Sequence, residues 1–159
     1  MSQGSPKTIA DVMQTSILSV APNDPLHAVQ RLFYESGIQA APVMEERGTV
    51  LGIITSSDLL RAAADLHETS RPEPLDLSDD AEFSPRGWLM EPEEFRQRLR
   101  DDVVEDFMTE QVLCVLPETP VSDVARMLRA RQLHHVLVTQ ADELCGIAST
   151  FDLIALVQD

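Results

Sequence analysis

Two short runs place a hydroxyl and a carboxylate three residues apart: Thr55-Ser56-Ser57-Asp58 and Ser149-Thr150-Phe151-Asp152. Each follows a glycine and two apolar residues, Gly52-Ile53-Ile54 and Gly146-Ile147-Ala148. An apolar pair that runs into a polar turn and then into a new apolar-periodic segment predicts strand, turn and helix start. The hydroxyl then closes the strand and the Asp enters the first helical turn. Free N–H groups and the positive end of the helix dipole make such a turn a natural anion site. The same spacing is also a capping box, which needs no ligand.

Other candidate groups are few. His27, His67, His134 and His135 stand in no conventional catalytic motif, so the chain reads as a non-enzyme. Ser149, Asp152 and His134 or His135 are better suited to holding a ligand than to cutting one. Cys114 and Cys145 both lie in apolar strand-like runs without a metal spacing, which predicts buried free thiols and no metal site.

The elements that must position these residues emerge from an internal repeat. Thr8-Ile9-Ala10-Asp11-Val12-Met13 matches Val103-Val104-Glu105-Asp106-Phe107-Met108, an offset of 95 residues (106 − 11). At that offset Pro22 meets Pro117, Pro25 meets Pro120 and Val43 meets Val138. Beyond the turn around Gly48 it falls to 94 (152 − 58), a single deletion. Each unit opens with a short helical turn, followed by a β-branched run, Ile17 to Val20 or Val112 to Val115. An amphipathic helix then carries Leu26, Val29, Leu32 and Phe33, or Val121, Val124, Ala125 and Leu128. Pro25 and Pro120 suit the first helical position, with Asp24 and Thr119 as caps and Gly37 or Gln132 as the stop. Two strands follow, Ala40 to Met44 and Thr49 to Thr55, or His135 to Thr139 and Glu143 to Ser149. A last helix begins near Ser57 or Thr150.

The unit is therefore β-α-β-β-α, an α/β (α+β) class. The chain divides into unit 1 at residues 8–65, a connection at 66–102 and unit 2 at 103–157. One small sheet with one covered face is too little to stand alone. Two units packed sheet against sheet, with a pseudo-two-fold axis between them, would share a core. The connection is acidic and proline-bearing at first, which reads as a solvated linker. Its later part holds Trp88, and Pro92 starts a short helix with Phe95 and Leu99 on one face. That helix either docks on its own domain or brings Trp88 and Phe95 over a cleft or into a dimer contact.

The chain has 159 residues, 43% of them hydrophobic and 25% charged, which is enough to bury a core without staples. Twelve Lys plus Arg against 27 Asp plus Glu give a net charge of −15, which argues against a nucleic-acid partner. No apolar run is long enough to span a membrane, and the first residues lack the apolar core of a signal peptide; a cytoplasmic protein is expected.

The two units resemble cystathionine-β-synthase (CBS) domains, and the chain as a whole resembles a stand-alone CBS pair, the Bateman module. The resemblance rests on Asp11-Val12-Met13 and Asp106-Phe107-Met108, on Ala41-Pro42-Val43, and on the two Gly-apolar-apolar-Thr/Ser-x-x-Asp endings. It implies a regulatory protein that binds AMP, ADP, ATP or S-adenosylmethionine in clefts between the units and needs no other cofactor. Asp58 and Asp152 would accept hydrogen bonds from the ribose diol, since two carboxylate oxygens match two vicinal hydroxyls. Thr55 and Ser149 would contact ribose or the first phosphate. Adenine would lie among Ile17, Ala40 and Pro42 in one site, and Val112 and Val136 in the other. His134 and His135 stand where phosphate-binding members place basic residues, whereas the first unit has Gln39 and Ala40 there. Unequal sites follow, the second better suited to a phosphorylated ligand. The alternative for the histidines is ordinary strand decoration, one pointing in and one out. Leu137 replaces Pro42 in the second unit, which predicts a less rigid strand start, and the acidic total charge opposes ATP more than AMP. The resemblance further implies a homodimer, and signalling to an unidentified protein partner through a ligand-induced shift of the units. The alternative is a structural or partner-binding pair with empty clefts, in which the Asp residues only cap helices.

Overall fold

The first helix forms where Leu26, Val29 and Phe33 recur on one face, and all three are buried. This helix, α1 (Leu26–Ser36), stops at Gly37, whose φ of 65° costs glycine nothing. Strands β1 (Ala40–Met44) and β2 (Val50–Thr55) pair antiparallel, and α2 (Ser56–Glu68) starts where β2 ends. The second half repeats the order with α3 (Val104–Phe107), β3 (Cys114–Val115), α4 (Val121–Arg131), β4 (His135–Gln140), β5 (Glu143–Ser149) and α5 (Thr150–Ile154). Here the helix stop is Gln132, left-handed at φ 54° without being glycine. These elements come from a computed structural model that describes residues 7–68, 97 and 99–158. Trp88, Phe95 and the acidic stretch lie outside the described residues. Leu99 lies within them and is buried in the core of the first half.

The architecture is the mixed α/β pair of small sheets that the repeat predicts. Sheet β1–β2 faces one half and sheet β3–β4–β5 the other, β3 running parallel to β4. Between them lies an apolar layer of Ala40, Ile53 and Leu137, with Val50, Val112, Leu144 and Ile147 at its edge. Alternation along β4 sends Leu137 into this layer while Val136 and Val138 pack against Val124 and Leu128 of α4.

The leading turns are exchanged between the halves. The 3-10 turn Ile9–Asp11 packs with the second half, and Ile9 is fully buried in that core. Helix α3 packs with the first half through Val104, Phe107 and Met108. Each crossing segment pairs with the far sheet through two backbone hydrogen bonds. Gln14 and Ile147 exchange bonds of 2.8 and 3.0 Å, and Ile53 and Thr109 exchange bonds of 3.0 and 2.9 Å. The crossing segments also cap the long helices. The Leu26 N–H donates to the Asp102 carbonyl at 2.9 Å, and the Val121 N–H to that of Lys7 at 3.0 Å. Pro25 and Pro120 accordingly occupy the N-cap position with extended backbone rather than the first helical position. Asp24 does not cap α1; its carboxylate takes the Ala21 N–H at 2.8 Å and folds the preceding turn. No side-chain cap comes from Thr119 because the exchanged backbone already supplies the acceptor.

Three further expectations change. The run Ile17 to Val20 makes no strand, only a parallel bridge from Val20 to Val43. Its counterpart is a strand because the Leu137 N–H donates to the Leu113 carbonyl at 2.9 Å. Pro42, at the place of Leu137, has no N–H to give. The Pro-bearing half is thus the irregular one, opposite to expectation. Cys114 is exposed, since alternation along β3 turns Val115 inward, while Cys145 is half-buried; both are free thiols.

The exchange explains the repeated glycine. A β-carbon on Gly52 would lie 2.6 Å from the Thr109 carbonyl oxygen, a backbone atom of the crossing strand. On Gly146 it would meet the Met13 sulfur at 2.5 Å, the movable end of a side chain. Gly52→Ala is therefore expected to lose about 1–3 kcal/mol of stability, and Gly146→Ala clearly less, because Met can repack. Urea unfolding of both variants checks this; equal losses would place the obstruction elsewhere.

Candidate functional site

Both Thr/Ser-x-x-Asp runs fold as capping boxes. The Asp58 Oδ2 accepts from the Thr55 N–H at 2.8 Å and from its hydroxyl at 2.9 Å. The Asp152 Oδ2 accepts from the Ser149 N–H at 2.7 Å and its hydroxyl at 2.8 Å. Each hydroxyl oxygen in return accepts the Asp N–H, at 3.4 and 3.3 Å. The two copies part company at the second oxygen. The Oδ1 of Asp58 meets the Arg61 guanidinium at 3.0 Å, and the same guanidinium donates to the Phe107 carbonyl at 2.6 Å. Asp58 is 4% exposed and fastened to the end of the exchanged α3. Among the described residues the Oδ1 of Asp152 takes a side-chain amide alone, Gln14 Nε2 at 3.1 Å, from the other exchanged segment. Ala155 stands where the repeat would put Arg61, so no guanidinium reaches Asp152 from α5 or the turn after it.

Two cavities open between the halves. The larger, about 620 Å³, brings Ile17, Ala40 and Pro42 of the first half opposite Ser149 and Asp152 of the second, with His134 and His135 beside them. The sequence expectation left open which carboxylate joins which apolar set; the fold combines the apolar set of the first half with Asp152 of the second. The smaller, about 420 Å³, holds Thr55 and Asp58 together with Thr109, Gln111 and again His134 and His135. The histidines form a wall shared by both cavities, so neither is confined to one cleft. Val136 lines neither of them, being fully buried beneath α4. Val112 belongs to the apolar layer between the sheets and lines neither cavity. Sequence reasoning missed Gln14, Leu18 and Phe151 in the larger cavity, and Arg61 beside the smaller one. The missed residues follow from the exchange, which no periodicity displays; Arg61 against Ala155 is a repeat mismatch and was visible.

Burial holds His135 below the ordinary histidine value of 6.5; neighbouring His134 adds to the depression and Asp152 opposes it. His135 is therefore a neutral ring at neutral pH, able to donate or accept one hydrogen bond. Among the described residues no group of three His, Cys, Asp or Glu could hold a metal ion. No described helix is long and apolar enough to cross a membrane.

Two repeated units with exchanged leading turns, packed sheet to sheet over paired interfacial cavities, define a tandem two-unit module. The family model of the CBS domain matches residues 9–65 and 104–159. The chain belongs to the CBS domain family. It is 29% identical over 153 residues to MJ1426, an uncharacterized protein of Methanocaldococcus jannaschii, covering 92% of this chain and 88% of that one. Two further curated relatives are longer, and the chain spans 42% of one and 24% of the other. The CBS domain pair of protein MJ0100, solved with 5′-methylthioadenosine and S-adenosyl-L-methionine, has the same fold. Its TM-score is 0.73 at 18% identity, over 97% of this chain and 98% of that one. CBSX2, solved with AMP, gives a TM-score of 0.67 at 22% identity over 95% and 96%. At such identities the likeness shows the fold alone.

Two outcomes follow from this geometry. Arg61→Ala is expected to lower stability by about 1–2 kcal/mol, because it strips a hydrogen-bonded cation from a buried carboxylate and frees the end of α3. Urea unfolding measures it, and an unchanged midpoint would show that the clasp carries no weight. His135 acts through pH. The unfolded chain takes up a proton near 6.5 while folded His135 resists it, so stability falls as pH drops through that value towards the lowered one. His135→Gln should lose less stability than the parent between about pH 7.5 and about pH 5.5. Equal losses would rule His135 out as a source of acid sensitivity.

Proposed function

We propose that this protein is a regulatory module that binds one adenosine-containing ligand per chain in the larger cavity. The observation that carries the proposal is the convergence there of an apolar wall from one half and an accessible carboxylate from the other. A cavity of about 620 Å³ is within the range of small-molecule sites. Ile17, Ala40 and Pro42 offer a flat apolar surface to adenine. Asp152 spends Oδ2 on its capping box and keeps a lone pair of Oδ1 for the ribose diol, while Ser149 holds that carboxylate in place. Asp58 has its second oxygen committed to Arg61, so the smaller cavity is the weaker site. The ligands of the two structural neighbours, AMP in one and S-adenosylmethionine and methylthioadenosine in the other, belong to the same adenosyl class.

A ligand that touches both halves favours one angle between them, and a partner that reads this angle completes the regulation. Self-association through exposed helical side chains such as Leu60 and Ile154 and a cytoplasmic setting belong to the same reading. The Ser149 hydroxyl is directed to Asp152, not to a histidine base, which supports a holding role and no catalytic step.

Calorimetric titration with AMP, ATP and S-adenosylmethionine tests the proposal. Asp152→Asn should weaken binding at least about tenfold, or 1.4 kcal/mol, and Asp58→Asn should leave it unchanged. Equal effects of the two variants would refute the single site. No binding by any of the three would favour the alternative, a structural pair with empty clefts.

A further inference from the structure

The charge inventory of the larger cavity sorts ligands within the adenosyl reading, on which this inference rests. Among the described residues that line it, Asp152 is the only acid, and no Lys or Arg stands with it. The two histidines are no substitute: His134 is exposed to solvent, and His135 is neutral for the reasons given above. The rim carries two apolar side chains that the core does not claim. Phe151 is 78% exposed and Leu18 is 44% exposed, and both line the cavity.

We propose that this cavity selects adenosyl ligands whose 5′ carbon bears a thioether or sulfonium group and discriminates against those bearing a phosphate. A phosphate would enter with no fixed cation among the described lining residues to meet it, close to the carboxylate that the diol requires, on a chain of net charge −15. A neutral thioether meets no such opposition and covers apolar surface at Leu18 and Phe151. A sulfonium gains in addition from the face of Phe151 and the field of Asp152.

The test is a set of equilibrium titrations of the whole chain with 5′-methylthioadenosine, S-adenosylmethionine and AMP, in about 50 and about 500 mM NaCl. At the lower salt both phosphate-free ligands should bind at least about tenfold more tightly than AMP. Added salt should narrow the gap, because it screens a repulsion. If methylthioadenosine is the tighter of the two, the apolar rim leads the selection; if S-adenosylmethionine is, the field of Asp152 does. AMP binding as tightly as either of them, or weakened by salt, overturns the selection while leaving adenosyl binding in place. Failure of all three to bind overturns both.

Discussion

The exchange of leading segments is the constraint on which the rest of this structure depends. Neither half closes its own core: Ile9 completes the second and Val104 the first. The long helices obtain their first acceptors from the same segments, through Asp102 and Lys7. The glycines that open both motifs make room for the crossing segments, for the backbone of Thr109 at Gly52 and chiefly for the Met13 side chain at Gly146. Both site carboxylates are tied to the exchange as well, Asp58 through Arg61 to Phe107 and Asp152 through Gln14. A change in how the halves meet is therefore transmitted to the carboxylates by direct bonds. Under the proposed function, a ligand held by Asp152 would act on the crossing segment through Gln14.

The pseudo-symmetry is broken at one residue with consequences at several. Leu137 has an N–H, so Leu113 is held against it, 6% exposed, and a parallel strand forms. Pro42 has none, so Leu18, at the place of Leu113, swings out to 44% exposure and joins the wall of the larger cavity. Leu18 thus lines the larger cavity, whereas its counterpart Leu113 is buried in the core of the second half. Arg61 acts in the same direction from the far side by occupying Asp58. Two unrelated differences, one of backbone chemistry and one of charge, set the larger cavity apart by an added apolar side chain and by a carboxylate that no guanidinium from its own helix claims.

Periodicity and repeat made the fold legible. The strands and helices follow from alternation and helical spacing, and the pairing of the two sheets follows from their being too small alone. The exchange was not legible, because a leading turn that packs on its own half and one that packs on the other have the same apolar pattern. That blindness accounts for the misassigned helix caps, and for the omission of Gln14 from the site. The placement of Val136 failed for a different reason. A strand buried on both faces does not reveal which face looks into a cleft, and a step of one residue reverses the answer. Leu137 and not Val136 faces the interface.

Capping and ligand binding, set against each other by the sequence, need not compete, because they can use different oxygens of the same side chain. A capping box engages one carboxylate oxygen, and a carboxylate has two. Helix start and a second acceptor oxygen thus coexist in Asp152, and the box fixes the direction in which that oxygen points. What separates a cap from a site is the company of that second oxygen: a guanidinium in the first half, an exposed amide in the second. Removing either carboxylate must therefore affect the helix start, whatever it does to binding. Only comparison between the two Asp residues, both caps and one of them open, isolates the part that belongs to the ligand.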